Sequence, residues 1–495
     1  MSLDTAPARL DTPAAAPYGR RWAALAIIAV SQLMVVLDAT ITNIALPHAQ
    51  ADLGIAQSNA QWVLTAYTLT FGGLLLLGGR IADYWGRKRT FVTGVIGFAI
   101  ASALGGLAQN GATLFAARGL QGVFGALLAP AALALLTVLF TDARERAKAF
   151  GVYGAIAAGG AALGLVLGGV LTEYVDWRWC LLVNIPVALI ALPFTLKLLP
   201  ESRAHGDTRY DVPGAILVTL GLVSLVYGFT KAAEDGWTSG VTLTFIGVAA
   251  ALLAAFVLVE ARSSHPLLPL RVLTDRNRGG AYLSSLLIGA GFIGSTLFLT
   301  YYFQNILGYS PVKAGLATLP MSAGVFASAG IASALLPKAG ARVLMSAGGL
   351  IAASGMLLLS RIGVDTGYAS HVLPGLLLLG FGLGFLFVPL GNVALVGVDP
   401  HDAGAASAVV NASQQVGGSL GVALLNTVAI SAGTAYLEKN PPMDALGVAE
   451  GTVHGFQVGF AWAAALLAVG AVVVMVFIRA GREQLKGGAG AVHIG

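Results

Sequence analysis

Fourteen long apolar runs separated by short polar segments dominate the hydrophobic pattern of the chain. Runs of about twenty residues are long enough to cross a bilayer as helices. In lipid, backbone polar groups need partners within their own segment, so each run must be helical. The runs are continuously apolar, without the alternation of a membrane β-barrel. The sequence therefore predicts an all-α integral membrane protein. The runs cover residues 22–46, 59–79, 90–109, 112–138, 149–172, 179–199, 213–231, 240–260, 279–306, 312–336, 343–361, 369–398, 405–432 and 453–479.

Composition and charge agree with this class. Hydrophobic residues make up 57% of the chain and charged residues 10%, against about 25% charged in soluble domains. Most of the 28 Lys and Arg residues lie beside one set of run ends, which is typical of the cytoplasmic side. We predict a multi-pass protein of the cytoplasmic membrane with both termini cytoplasmic. The net charge of +5 then reflects orientation and not nucleic-acid binding. The basic residues at the opposite run ends are Arg178, Lys231, Lys313, Arg361 and Lys439.

A polar connector, Glu201 to Asp211, follows the sixth run and divides the chain. Runs seven and eight have no charged residue in their interiors, which indicates a helical hairpin inserted between two six-helix halves. We interpret the hairpin as a lipid-facing spacer, with an accessory site as the alternative. The predicted units are a tail at 1–21, an N-terminal half at 22–199, the connector and hairpin at 200–262, a C-terminal half at 263–479 and a tail at 480–495.

Two charged residues lie inside apolar runs. Asp38 is about sixteen residues into the first run and Arg118 about six residues into the fourth, which crosses in the opposite direction. The two residues are therefore expected at similar depth, in the outer part of the membrane. A charge in hydrocarbon costs about 2.5–3.5 kcal/mol on insertion scales, so buried charges pair or share a water-filled cavity. We predict a proton-coupling pair; a static ion pair, or an Asp38 that faces the outer headgroups, is the alternative.

A basic loop with two glycines joins runs two and three. Gly79 and Gly86 allow a tight turn, and Asp83 can accept hydrogen bonds from a helix N-terminus. Arg87 can reach a carboxylate, and Asp142 at the end of run four is the expected partner. We predict a latch at a cytoplasmic gate. A basic cluster that acts only as an orientation signal is the alternative.

Small residues recur along the fifth run at the spacing of a helix face. Such residues let neighbouring helices approach closely. The pattern is compatible with ordinary tight packing and also with a rocking interface between the two halves. The glycines concerned are Gly160, Gly164, Gly168 and Gly169.

Taken together, these motifs resemble the fourteen-helix drug–proton antiporter branch of the major facilitator superfamily, over essentially Trp22 to Arg482. Two features depart from that branch. Leu165 stands where the helix-five antiporter motif usually has proline, and residues 312–336 lack the acid that some relatives carry there, which disfavours export of doubly charged cations. The segments that carry the resemblance are Leu37–Pro47, Gly79–Thr90, Arg118–Gly122, Gly160–Gly169, Trp177–Trp179, Asn184–Pro186, Leu307–Pro311, Ala314–Gly315 and Leu319–Pro320.

The resemblance implies a major facilitator fold and transport by alternating access, with a cavity between the two halves. It implies efflux of lipophilic drugs or antibiotics, monocationic or neutral, driven by a proton gradient. We expect no cofactor or metal, a lipid-embedded monomer, and small-molecule and proton partners. Aromatic faces suit lipophilic cations, although Trp62 fits an interfacial belt equally well. The candidate cavity residues are Asn43, Trp62, Tyr67, Tyr302, Gln304, Asn411 and Gln415.

Other functions are less compatible with the sequence. No Walker loop is present, so ATP is not the expected driver. The histidines lie near run ends or in loops without metal-ligand spacing on one helix, which disfavours a membrane enzyme. A dedicated exporter of an endogenous metabolite or a self-made antibiotic stays open beside a broad drug exporter.

Overall fold

The computed structural model describes residues 18–203, 211–263, 266, 275–395, 403–441 and 444–479. Among these residues, fourteen long helices account for nearly all of the regular structure. Most of both predicted tails lies outside the described residues. The helices are α1 Tyr18–Asp52, α2 Trp62–Trp85, α3 Arg87–Gly106, α4 Gly111–Leu139, α5 Ala143–Tyr174, α6 Asn184–Leu198, α7 Val212–Asp235, α8 Gly240–Arg262, α9 Arg276–Tyr301, α10 Pro311–Ala339, α11 Ala341–Leu359, α12 Leu373–Leu395, α13 Ala403–Lys439 and α14 Ala445–Phe477.

Within the described residues, each predicted apolar run falls mainly on one of these helices, which confirms the all-helical membrane class. In the described part of the chain, thirteen helical segments are long and apolar enough to cross a membrane. The remaining helix, α5, carries a shorter apolar portion at Gly159–Tyr174. Two π-helical turns, Tyr302–Ile306 and Tyr368–Val372, extend α9 and precede α12.

Side-chain caps fix where several helices begin. Asn110 accepts a hydrogen bond from the Thr113 amide at the start of α4, and Ser310 accepts one from the Lys313 amide at the start of α10. Such caps satisfy backbone donors that have no partner within the helix. The same device starts α7 at Asp211. The polar residues between apolar runs therefore set the helix boundaries as well as the loops.

The helix packing repeats between the two halves. In the N-terminal half (α1–α6), α4 packs on α2 and α3, α1 packs on α5 and α6, and α3 packs on α6. In the C-terminal half (α9–α14), α12 packs on α10 and α11, α9 packs on α13 and α14, and α11 packs on α14. These are the same five pairs shifted by eight helices. The chain therefore contains two six-helix units with one internal arrangement.

Two helix pairs join the halves. On one side α2 packs against α13, where the hydroxyls of Thr68 and Ser419 lie 2.7 Å apart. On the other side α5 packs against α10, where Gly169 lies against the backbone of Pro311. We call these the α2–α13 seam and the α5–α10 seam.

The inserted hairpin lies on the α2–α13 seam. Gln61 Nε2 donates to Thr230 of α7 at 2.9 Å, and Thr427 of α13 donates to the Phe229 carbonyl at 2.8 Å. Helix α7 therefore contacts both halves. Only 11% of the apolar window of α8 is buried, so α8 fits the predicted lipid-facing spacer and α7 does not.

Further contacts between the halves cluster at one face of the molecule. We call the face where α1 begins and α14 ends the terminal face, and the other the opposite face. At the opposite face, Tyr301 donates a hydrogen bond to Gln50, and Gln304 Nε2 donates to the Ile44 carbonyl at 2.9 Å. Glu173 also accepts a hydrogen bond from the Val312 amide at 3.0 Å. These contacts hold the two halves together at the opposite face.

Candidate functional site

A buried ion pair lies inside the N-terminal half. Arg118 of α4 donates from Nη1 to Oδ2 of Asp38 on α1, and both side chains have 0% exposure. The structure therefore brings together the two intramembrane charges at matched depth. Removing either partner would leave a buried charge without compensation, which costs about 3–5 kcal/mol in proteins.

Three further polar side chains complete the environment of Asp38. Gln121 of α4 and Asn184 of α6 both donate to Asp38 Oδ1, at 2.8 and 3.0 Å. The same two amides contact the Ser102 hydroxyl of α3 at 2.6 and 2.9 Å. The carboxylate is thus held by donors from two helices besides its own. Ser102, Gln121 and Asn184 were not predicted as site residues, although each is a polar residue within an apolar run.

Arg118 is anchored on a second side by α2. Its Nε donates to the Val63 carbonyl at 2.9 Å, and its guanidinium lies 4.6 Å from the centroid of the Tyr67 ring. Tyr67 stacks on Phe71 and meets Phe98 edge-on, and its side chain is buried. Tyr67 was predicted to line a central cavity. That prediction is wrong for this conformation, because the ring lies in the core of the N-terminal half beneath Arg118.

The glycines of α5 pack against the part of α1 that carries Asp38. A Cβ atom at Gly164 would lie 1.9 Å from Thr40 Oγ1, and one at Gly160 would lie 2.7 Å from Leu33. One at Gly168 would lie 3.0 Å from the Ile41 backbone. Close approach of α5 therefore requires the absence of side chains at these positions.

Gly169 faces α10 and not α1. A Cβ atom there would lie 2.6 Å from the Pro311 carbonyl, so Gly169 serves the α5–α10 seam between the halves. On the same seam, a Cβ at Gly315 would lie 2.3 Å from the carbonyl of Leu165, the residue that replaces proline. The glycine row therefore contributes both to packing within the N-terminal half and to the interface between halves.

Two of the predicted cavity residues lie near the junction of the halves. Gln304 lies in the π-helical turn after α9 and donates to the backbone of Ile44, the residue after Asn43. The side chains of Asn43 and Gln304 are both partly exposed. On the other seam, a Cβ on Gly72 of α2 would lie 2.8 Å from Cβ of Gln415, so Gln415 is also an interface residue. Asn411 lies one helical turn before Gln415 and is exposed.

Tyr302 and Trp62 both pack against neighbouring residues in this conformation. Tyr302 has 0% exposure, and its hydroxyl donates to the Gly363 carbonyl inside the C-terminal half at 2.8 Å. Trp62 packs under the hairpin, with its ring 6.4 Å from that of Tyr227 on α7. The cavity prediction for Tyr302 is therefore corrected in this conformation, because its ring belongs to the core of the C-terminal half. Trp62 is partly exposed at the α2–α13 seam, and its place in a cavity stays a prediction.

The glycine-containing loop at the terminal face is held within the N-terminal half. Arg87 pairs with Asp83 at 3.0 Å, one turn away, and not with Asp142 as predicted. Asp142 instead accepts the Glu145 amide at 3.0 Å at the start of α5. Gly86 has a φ of +127°, which only glycine adopts without strain. Gly79 lies against Pro130 of α4.

Glu201, after α6, is the partner that the sequence did not indicate. It accepts the Lys88 amide at 3.2 Å and lies 3.6 Å from Arg89. A Cβ at Gly86 would lie 2.5 Å from its carboxylate, so the glycine also makes room for this acid. The loop is therefore tied to the end of α6.

Fold and site together define a multi-pass membrane transporter: two six-helix halves, joined along two seams, with a charged pair buried in one half. No group of His, Cys, Asp and Glu able to hold a metal ion occurs among the described residues. The family model of the Major Facilitator Superfamily matches residues 28–422, and the chain belongs to this superfamily.

Curated relatives and solved structures agree with this assignment. The chain is 52% identical over 466 residues to the puromycin resistance protein of Streptomyces alboniger, covering 93% of this chain and 92% of that protein. It is 40% identical over 412 residues to the cephamycin export protein of Amycolatopsis lactamdurans, covering 82% and 84%. A bacterial homologue of the human lysosomal transporter Spinster, solved in an inward-facing, unoccupied conformation, superimposes with a TM-score of 0.65 at 14% identity, covering 95% of this chain and 98% of that one. That likeness concerns the fold alone.

Proposed function

We propose that this protein is a proton-coupled exporter of drugs or antibiotics that works by alternating access in the cytoplasmic membrane. The names of its relatives, puromycin resistance and cephamycin export, support the substrate class. The bias of Lys and Arg supports a cytoplasmic terminal face. A monomer without a cofactor suffices for this mechanism, because one half supplies the whole polar network around Asp38.

The buried carboxylate of Asp38 carries the proposal. As an anion it is held by Arg118, Gln121 and Asn184 at 0% exposure. Protonation removes the negative charge and leaves the Arg118 guanidinium without its counter-ion, which is costly in a buried site. The helices that contribute the network must then rearrange or admit water. Proton binding is thereby converted into a change of helix packing.

Helix α1 links this event to the gate. Asp38 lies two turns from Ile44 and about three turns from Gln50, and both of these residues contact the C-terminal half at the opposite face. With the terminal face in the cytoplasm, these contacts close the extracellular side. The conformation described here is then the one that takes substrate from the cytoplasm. The glycines of α5 allow α1 to slide or tilt against a smooth surface.

The energy of the proton gradient is sufficient for export. One proton that moves inward releases roughly 2.3 kcal/mol per 100 mV of membrane potential. Each pH unit adds roughly 1.4 kcal/mol. Together these terms sustain accumulation on the order of hundredfold.

The test is uphill transport in proteoliposomes with an imposed pH gradient, with puromycin and ethidium as substrates. Asp38→Asn retains the shape of the side chain and removes its titration, so we expect an inserted protein without uphill transport. Asp365→Asn is a matched control, because it removes an exposed carboxylate of the C-terminal half that lies outside the buried network and the predicted gate. Normal uphill export by Asp38→Asn would show that Asp38 does not couple proton movement to transport.

Dedicated self-resistance is the second candidate function. It is favoured by the similarity to a puromycin resistance protein along nearly the whole chain. The same liposomes distinguish the two candidates. Transport of puromycin alone supports a dedicated exporter, and transport of unrelated cationic dyes supports broad drug export.

A further inference from the structure

We infer that Asn43 and Gln304 form a substrate subsite that selects ligands carrying hydrogen-bond donors. The inference rests on the proposed export function and specifies which ligands the transporter prefers. It is carried by two buried side-chain carbonyl oxygens, one from each half. Gln304 lies at the contact with α1, and Asn43 lies about two turns before Gln50, on the face of α1 whose Gln50 accepts a hydrogen bond from Tyr301.

The oxygens concerned are Asn43 Oδ1 on α1 and Gln304 Oε1 in the π-helical turn after α9. Both atoms are buried, and no donor among the described residues reaches either of them. The rest of each side chain is only partly buried. Buried acceptors in native proteins are nearly always paired, because an unpaired one costs about 1–3 kcal/mol. These acceptors lie at an interface that opens and closes during transport. The transported molecule can therefore supply the hydrogen-bond donors that the protein does not.

Local backbone geometry explains why Gln304 reaches this position. In the turn Tyr302–Ile306 the chain is π-helical, and the Leu307 amide donates to the Tyr302 carbonyl at 2.9 Å. A π-turn inserts one extra residue and rotates the side chains that follow it, a change often found at functional sites. Gln304 thereby points across to α1, where its Nε2 donates to the Ile44 carbonyl at 2.9 Å. This bond uses the amide nitrogen and leaves the oxygen available.

The chemistry of the pair defines the ligand class. Two carbonyl acceptors favour a molecule with amino, amide or hydroxyl groups. They give no such preference to a cation of similar size that lacks N–H and O–H groups. Because one acceptor lies on each half, a ligand that bonds both also bridges α1 and the C-terminal half at the extracellular closure.

Ethidium and tetraphenylphosphonium are suitable probes. Both are permanent lipophilic monocations, but ethidium carries two amino groups and tetraphenylphosphonium carries no donor. Binding of each probe to the purified full-length chain would be measured together with uphill transport in liposomes. The wild type is expected to bind ethidium more tightly. Asn43→Leu and Gln304→Met should each weaken ethidium binding about tenfold, the effect of one lost hydrogen bond to a ligand, and change tetraphenylphosphonium binding less than about twofold.

Two further variants separate the acceptor from the gate contact. Gln304→Glu loses the donor to Ile44 but keeps an acceptor, so it should retain ethidium binding. Gln457→Met is the matched control, because Gln457 donates to the Ile362 carbonyl at 2.6 Å within the C-terminal half. It should leave both probes unchanged.

If Gln304→Met weakened the binding of ethidium and tetraphenylphosphonium equally, or weakened the binding of neither, the subsite would be overturned. Loss of ethidium binding in Gln304→Glu would assign the effect to the gate contact and also overturn it. A wild type that binds ethidium selectively but never transports it uphill would overturn coupled export and leave the subsite standing. A wild type that binds neither probe would overturn both.

Discussion

Asn184 of α6 donates from its side-chain amide to Oδ1 of Asp38, across 146 positions of sequence, and so links the last helix of the N-terminal half to the buried acid of the first. Its second contact, with Ser102 at 2.9 Å, fixes the amide in the orientation that this bond requires. Asn184 is therefore a positioning residue for the buried carboxylate of Asp38. It lies in an apolar segment where an amide would otherwise be costly.

The first prediction concerns this amide. Asn184→Ala removes a donor to a charged acceptor, which is worth about 1.5–3 kcal/mol. We expect uphill transport to fall at least about tenfold while the protein still inserts. Facilitated, gradient-free exchange of substrate should change much less, because the gate contacts of α1 are elsewhere. An equal fall in both modes of transport would indicate general loss of the fold and would contradict a positioning role.

The second prediction concerns the contact between α5 and α1. Gly164→Val should push α1 away near Thr40, because a Cβ there already falls 1.9 Å from the Thr40 hydroxyl oxygen. Overpacking of this kind costs about 1–3 kcal/mol. We expect a lower thermal midpoint and little transport.

Gly159 provides the control on the same helix. A Cβ at Gly159 has no neighbour within 4 Å among the described residues, so Gly159→Val should be tolerated. Comparable loss in the two variants would mean that helix flexibility, and not close approach to α1, is what the glycines provide.

Much of the fold was predictable because the length and continuous apolar character of each run indicate a membrane-spanning helix. A helix that crosses a bilayer needs about twenty apolar residues, and lipid permits little else. The depth of Asp38 and Arg118 could be read in the same way, since position along a run converts to distance along a helix axis. Their pairing in the structure follows from matched depth and opposite charge.

Other parts of the site depend on rotation about the helix axis, which a uniformly apolar run does not reveal. Tyr67 and Tyr302 are aromatic residues of a type that suits a substrate cavity, but the side chain of each packs into the core of its own half. The partner of the Gly86 loop is Glu201, more than a hundred residues away, and no local pattern marks it. The position of α7 on the α2–α13 seam likewise rests on side chains such as Thr230 that are unremarkable in sequence.

The third prediction concerns Glu201. Glu201→Ala removes the acceptor of the Lys88 amide and the neighbour of Arg89 at the terminal face. We expect the loop between α2 and α3 to become accessible to limited proteolysis and transport to fall several-fold. Asp142→Ala is the comparison, because it removes the residue that was expected to latch Arg87. A larger effect of Asp142→Ala than of Glu201→Ala would favour the latch predicted from sequence.

The fourth prediction concerns pH and the hairpin. Glu234 lies beyond the apolar span Val212–Ala232 of α7 and accepts hydrogen bonds from Lys231 at 2.6 Å and Ser58 at 2.9 Å. The Lys231 ammonium holds the pKa of Glu234 below its usual value of 4.5. A carboxylate whose pKa is lower in the folded state stabilises that state above its unfolded pKa. This contribution disappears as the pH falls through the folded value.

We therefore expect the end of α7 to detach from Ser58 below about pH 4.5, and not in the neutral range. Hydrogen exchange at residues 232–236, followed from pH 7 down to pH 3, measures this directly once rates are corrected for intrinsic exchange. Glu234→Gln should show at neutral pH part of the extra exchange that the wild type shows only in acid, and should show little further change on acidification. The Gln61–Thr230 bond one turn earlier does not titrate, so exchange near Thr230 should stay slow in both proteins. Uniform exchange of the whole of α7 on acidification would mean that Glu234 holds the hairpin as a unit rather than its end alone.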